Sequence, residues 1–153
     1  MLERVLLPLD GSDNAERVLP HARRLLLNRD AEIVVLRVTD GASPNLSVLA
    51  PAIEAEAERY ARRMAFQWAH EGRPASALVR AGGAAATILR VAKELEVSLI
   101  VLSTHGRTGF QRLLMGSVAE KVVRKATCPV MTVKAPAAVR ARPKKEVAAA
   151  VPS

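Results

Sequence analysis

The sequence predicts an α/β protein built on an open, five-stranded parallel sheet with helices on both faces, and three observations carry the prediction. Short runs of aliphatic and β-branched residues alternate with longer segments of helical period. The runs are nearly continuous in apolar character, as in EIVVLRV at residues 32–38 and SLIVL at residues 98–102, which suits strands covered on both faces. Each run is joined to the next through a helical segment, and parallel strands require such right-handed crossovers.

Residues 4–9, RVLLPL, read as the first strand, closed by Asp10-Gly11-Ser12, where side-chain hydrogen bonding and a flexible glycine favour a turn. From Asp13 the period becomes helical. Val18, Ala22, Leu25 and Leu26 recur on one face, Asp13 and Glu16 stand at capping-box spacing, and Pro20 must kink or restart the helix. Residues 32–38 are the second strand. After Gly41 and Pro44 a long helix is expected over residues 51–71, rich in alanine, glutamate and arginine. Gly72-Arg73-Pro74 stops it, and residues 77–80 read as a short third strand. Ile88, Val91, Ala92 and Leu95 line one face of a third helix, and residues 98–102 form the fourth strand. A last amphipathic helix starts near Gly116-Ser117 and ends around Thr127-Cys128-Pro129, and residues 130–133 complete the sheet. There is no internal repeat.

With 153 residues, 50% of them hydrophobic and 25% charged, the chain is long enough for one domain with its own core. We place that domain at residues 1–134 and a basic, Ala/Pro-rich tail at residues 135–153, which has no usable apolar period and is expected to be mobile. The tail reads either as an arm that contacts polyanions or as an extension without specific function. The single cysteine, Cys128, excludes an intrachain disulfide and fits a reducing compartment, with the cytoplasm as the default. The N-terminus lacks a signal-peptide pattern, and no apolar run approaches the ~20 residues that span a bilayer, so neither secretion nor membrane spanning is expected. The formal charge of +8 divides unevenly: residues 134–153 hold five basic residues and one acidic, leaving 18 basic against 14 acidic in the body. Aromatic residues make up 3% of the chain, too few for a single-strand nucleic-acid platform, which depends on stacking.

In an open parallel sheet, ligands bind beyond the carboxyl ends of the strands. Three segments compete for that place: residues 8–12 after the first strand, 38–40 after the second, and 103–109, STHGRTG, after the fourth. The third is the most informative. Gly106 and Gly109 permit close backbone approach, Arg107 and Arg112 add positive charge, and Gly116-Ser117 opens a helix whose first N–H groups attract an anion. The same residues also admit a plain structural reading, since Ser117 and Glu120 have capping-box spacing. Both readings stay open on these residues alone.

Other chemistries fail a direct check. There is no Walker-type G-x-x-x-x-G-K-[ST], no G-x-G-x-x-G after the first strand and no G-x-S-x-G elbow. His21, His70 and His105 lack metal-ligand spacing; the first two read as surface helix residues and His105 as a loop residue within reach of a ligand. Asp10, the acid at a strand end, can bind ribose hydroxyls, hold a metal through water, or start the Asp-Gly turn. Cys128 reads as a small buried residue without chemistry.

From residue 4 to residue 134 the chain resembles the universal stress protein family. The resemblance rests on VLLPLDGSDNAERVLPHA, on EIVVLRV, and above all on LIVLSTHGRTGFQRLLMGSVAEKVVRKATCPVMTVK. The ATP-binding branch of that family carries a glycine, two residues, a second glycine, nine residues, and a third glycine followed by serine or threonine. Here the spacing runs from Ser103 through Gly106 to Gly116-Ser117, with Ser103 in place of the first glycine. The resemblance implies a Rossmann-like sheet of strand order 3-2-1-4-5. It implies that Leu9 and Asp10 meet the adenosine, that the backbone of Val38 recognises adenine, and that Leu102 and Ser103 line the nucleoside. Gly106, Arg107, Gly116, Ser117 and Val118 would surround the phosphates, with Mg2+ or Mn2+ carried on the phosphates rather than by protein ligands. It implies a homodimer through residues 130–133 and a protein partner that reads nucleotide occupancy. Three functions follow: a nucleotide-binding stress-response regulator, a slow ATPase assisted by His105 or Asp10, or a nucleotide-free interaction protein. Neither a membrane nor a specific nucleic acid is an expected partner.

Overall fold

The computed structural model describes residues 2–41, 45, 47–104 and 115–134. The chain order is β1 (Arg4–Pro8), α1 (Asp13–Glu16), α2 (Val18–Leu25), β2 (Glu32–Thr39), α3 (Ala50–His70), β3 (Ala75–Ala81), α4 (Ala84–Glu94), β4 (Leu99–Ser103), α5 (Ser117–Lys125) and β5 (Val130–Val133). The five strands pair in parallel in the order β3-β2-β1-β4-β5, as expected.

Alternation along the strands builds two cores, one on each face of the sheet. Val5 and Leu7 of β1, Ile33 and Val35 of β2, and Leu99 and Val101 of β4 pack on one face with α2 and with Tyr60, Ala61, Met64 and Trp68 of α3. Leu6, Val34, Leu36, Ile100 and Leu102 pack on the other with Ile88, Val91 and Ala92 of α4 and Ala119 and Val122 of α5. Each fully buried aliphatic side chain stabilises the fold by about 1.5–3 kcal/mol, so the three inner strands dominate its stability.

The first helical segment meets one expectation and departs from two. Its cap is Ser12 rather than Asp13: the Ser12 hydroxyl accepts the Ala15 N–H at 3.1 Å. As Pro20 leads one to expect, the helix breaks at Arg17 and restarts as α2, leaving Pro20 in the first turn, where a missing N–H costs little. Leu25 is 59% exposed, because the helix ends there and Leu26, at φ −82° and ψ 75°, turns its own side chain into the core. Strand β3 also runs longer than residues 77–80, since Ala75 and Ser76 find partners in Ile33 and Val34 of β2.

The exits of α2 and α3 are tied together by Arg73. Its buried guanidinium donates to the carbonyls of Leu26 and of Asn28, the latter at 3.0 Å, and lies 5.8 Å from the Trp68 ring centre. Trp68 is wholly buried, its Nε1 finds no hydrogen-bond partner among the described residues, and Arg23 covers its ring from 4.7 Å. Among the described residues no helix is long and apolar enough to cross a membrane. The expected mobility of residues 135–153 lies outside the described residues.

Candidate functional site at the carboxyl edge of the sheet

Strands β1 and β4 pair over only two positions, Val5↔Leu99 and Leu6↔Ile100. Beyond them the chains part. The Leu9 N–H turns to the Leu36 carbonyl at 2.9 Å, extending the β1–β2 ladder, while the Thr104 N–H turns to the Val133 carbonyl at 3.1 Å, extending β4–β5. The strands thus part at the carboxyl edge where the strand order reverses, the place at which open parallel sheets bind ligands. The Gly116 N–H donates to the Thr104 carbonyl, which brings the start of α5 to the end of β4. Gly116, not Ser117, is the N-cap, and among the described residues no side chain caps this helix, so the capping box expected from Ser117 and Glu120 does not form. Glu120 instead pairs with Arg124 at 2.8 Å. Among the described residues no side chain caps the first N–H groups of α5, which carry the positive end of the helix dipole.

Asp10 is half-buried at the end of β1, and its Oδ1 accepts the Ser12 N–H at 2.9 Å and the Ser12 hydroxyl at 2.5 Å. Gly11, at φ +81°, makes that tight turn possible. The turn fixes the carboxylate at the edge of the sheet. Behind it the Tyr60 hydroxyl donates to Glu16 Oε1 at 2.8 Å. Burial, and then Glu16, hold the Tyr60 phenol protonated well above its usual range, and the charges of Asp10 and Arg37 also reach it. Tyr60 and Glu16 thus form a hydrogen-bonded pair between α3 and α1.

The main chain of Val38 faces β1, as that of Leu36 does, because ladder direction repeats every second residue. It does so one step past the last β1 contact, at Leu9. The Val38 carbonyl accepts a hydrogen bond from Arg37 Nη1 at 2.7 Å. The side chains of Leu9 and Leu102 are core residues, so only their main chains reach the edge. Ser103 pairs with Val133 in ordinary strand conformation, so no glycine-like φ is needed where the resemblance has a glycine. Ser117 and Val118 are exposed at the start of α5. Leu9, Asp10, Val38, Leu102, Ser103, Gly116, Ser117 and Val118 thus share one edge; Gly106, Arg107 and His105 lie outside the described residues. His21 and His70 are exposed on α2 and α3, and burial pushes the half-buried Cys128 thiol up.

A fourth segment at this edge escapes the sequence reading. The Gly82 N–H donates to the Thr39 carbonyl at 2.9 Å, laying the β3–α4 turn against the end of β2. The glycine pair Gly82-Gly83 directly after a strand pattern was the available signal. A 360 Å³ cavity lined by α4 and the end of α5, and one of 210 Å³ lined by α3 and β3, include none of these edge residues. Among the described residues no cluster of His, Cys, Asp and Glu is placed to hold a metal ion.

A doubly wound parallel sheet, with strands that part at its switch point and a helix that starts beside them, belongs to a class of α/β domains that bind small ligands at that edge. Residues 1–134 match the universal stress protein family, and the chain belongs to it. Universal stress protein MJ0531 of Methanocaldococcus jannaschii is 32% identical over 146 residues, covering 89% of this chain and 84% of the relative. The solved structure of MJ0577 from the same organism superposes with a TM-score of 0.80 at 25% identity, covering 90% of this chain and 99% of the other. A family member from Arabidopsis thaliana, At3g01520, solved with AMP bound, shares the fold with a TM-score of 0.68 at 19% identity, covering 88% and 93%.

Proposed function

We propose that this chain is an adenine-nucleotide-binding regulatory module, with ATP as the ligand and Mg2+ or Mn2+ carried on its phosphates. The observation that supports this most is the parting of β1 and β4 beside the start of α5, an anion-favouring helix end at the switch point. In this reading the main chain of Val38 meets the adenine, Leu9 and Asp10 meet the adenosine with Leu102 and Ser103 along the nucleoside, and Gly106, Arg107, Gly116, Ser117 and Val118 surround the phosphates. The AMP-bound Arabidopsis relative, which shares the fold, lends further support. Nucleotide occupancy then alters the segment between Ser103 and Gly116 or a dimer surface at β5, and a cytoplasmic partner in a stress response reads the change.

The test is binding of a fluorescent ATP analogue with magnesium present, followed in the same samples by release of inorganic phosphate. The reading expects saturable binding that ATP displaces, with no turnover beyond the background rate. Steady phosphate release would make the protein an ATPase, and absence of binding would leave it a nucleotide-free interaction protein.

A further inference from the structure

We propose that Arg37 competes with a bound purine for the Val38 carbonyl and thereby weakens the site's preference for a 6-amino over a 6-oxo purine. The inference rests on the nucleotide reading above, in which the Val38 main chain meets the base.

Arg37 lies in β2, on the face turned to α3, and its Nη1 reaches the next residue's carbonyl at 2.7 Å. Among the described residues it forms no ion pair with a carboxylate. The bond to Val38 is therefore a principal restraint on the guanidinium. Alone, the Val38 carbonyl is an acceptor: it matches the exocyclic N–H of a 6-amino purine and repels the carbonyl of a 6-oxo purine. A guanidinium carries only donors. With Arg37 seated on it, the same spot on the sheet edge presents N–H groups, which match a 6-oxo purine and meet a 6-amino purine donor to donor. A 6-amino purine must displace the guanidinium or share the carbonyl with it, whereas a 6-oxo purine gains from it. One side chain thus turns an acceptor edge partly into a donor edge.

The experiment is calorimetric titration of the full chain with AMP and with IMP, for the native protein, Arg37→Ala and Arg37→Met, each checked for folding by circular dichroism. Arg37→Met keeps the apolar stem, so it serves if the alanine variant fails to fold. Loss of the positive charge affects both monophosphates equally and cancels in their ratio. The AMP:IMP affinity ratio should rise by about three- to tenfold in either variant, the equilibrium equivalent of about one hydrogen bond. A ratio that stays level or falls, while the native protein binds AMP, overturns the role of Arg37 and leaves the nucleotide site standing. Failure of the native protein to bind either nucleotide overturns both.

Discussion

Gly82 sits at φ +140°, and a Cβ built there would lie 2.8 Å from Oγ1 of the buried Thr87. Its N–H also holds the Thr39 carbonyl, so the residue cannot relax without loosening the end of β2. Gly82→Ala should therefore destabilise the fold by about 1–3 kcal/mol, read as a lower urea midpoint; an unchanged midpoint would contradict this. At the opposite edge Arg4 Nε donates to Glu32 at 2.7 Å and the Ser76 hydroxyl donates to the same carboxylate at 3.0 Å. The Arg4 hydrogen bond outweighs desolvation and holds the Glu32 carboxyl below its usual range. Its stabilising contribution is full above the unfolded-state pKa and is lost as pH falls through the lower, folded-state value. Glu32→Gln should flatten that acid limb when stability is measured between neutral pH and pH ~3, and an unaltered limb would contradict the assignment. At this scale legibility followed locality. The Asp10-Gly11-Ser12 turn was readable because its partners lie within three residues. The part played by Gly82 was not, because Thr39 comes from another strand.

At the scale of elements the apolar runs placed all five strands, and the misses fall at ends and breaks. Asp13 and Ser12 are both good caps, and adjacent candidates cannot be separated by spacing; the structure selects Ser12, which also serves the Asp10 turn. Ser12→Ala should cost about 1 kcal/mol, measured by thermal or urea unfolding, through loss of the cap on α1. A neutral effect would return the cap to Asp13. The start of α5 teaches the complementary lesson. Ser117 and Glu120 satisfy the capping-box spacing, yet the bond from Gly116 to Thr104 fixes the helix one residue earlier, where no side chain among the described residues caps it. A contact between elements decided a boundary that local sequence left open, and it left the helix end suited to an anion.

Over the whole molecule, alternating runs and helical segments made the parallel sheet legible, while the strand order came with the family resemblance and not from periodicity. The order leaves β5 at one edge. Pro129 and Val133 turn their carbonyls to β4, so by alternation Val130 and Thr132 turn their main-chain groups to the open side. A homodimer through β5, which we propose, would pair those groups. Thr132→Pro removes an outward donor without touching the β4 ladder and should convert a dimer into a folded monomer in light scattering; a variant that stays dimeric would place the interface elsewhere.

The nucleotide site tests the reading of the whole fold most directly, by calorimetric titration of MgATP into the native protein and into Gly116→Val. Gly116 is the N-cap at φ −68° and ψ 157°, a conformation valine also adopts, so the variant should fold, as circular dichroism will verify. Its branched side chain would stand over the first N–H groups of α5. Saturable binding by the native protein, weakened at least tenfold in the variant, is the predicted result, on the order of 1.4 kcal/mol or more. Equal binding by both proteins, or none by the native chain, would contradict a phosphate site at the start of α5.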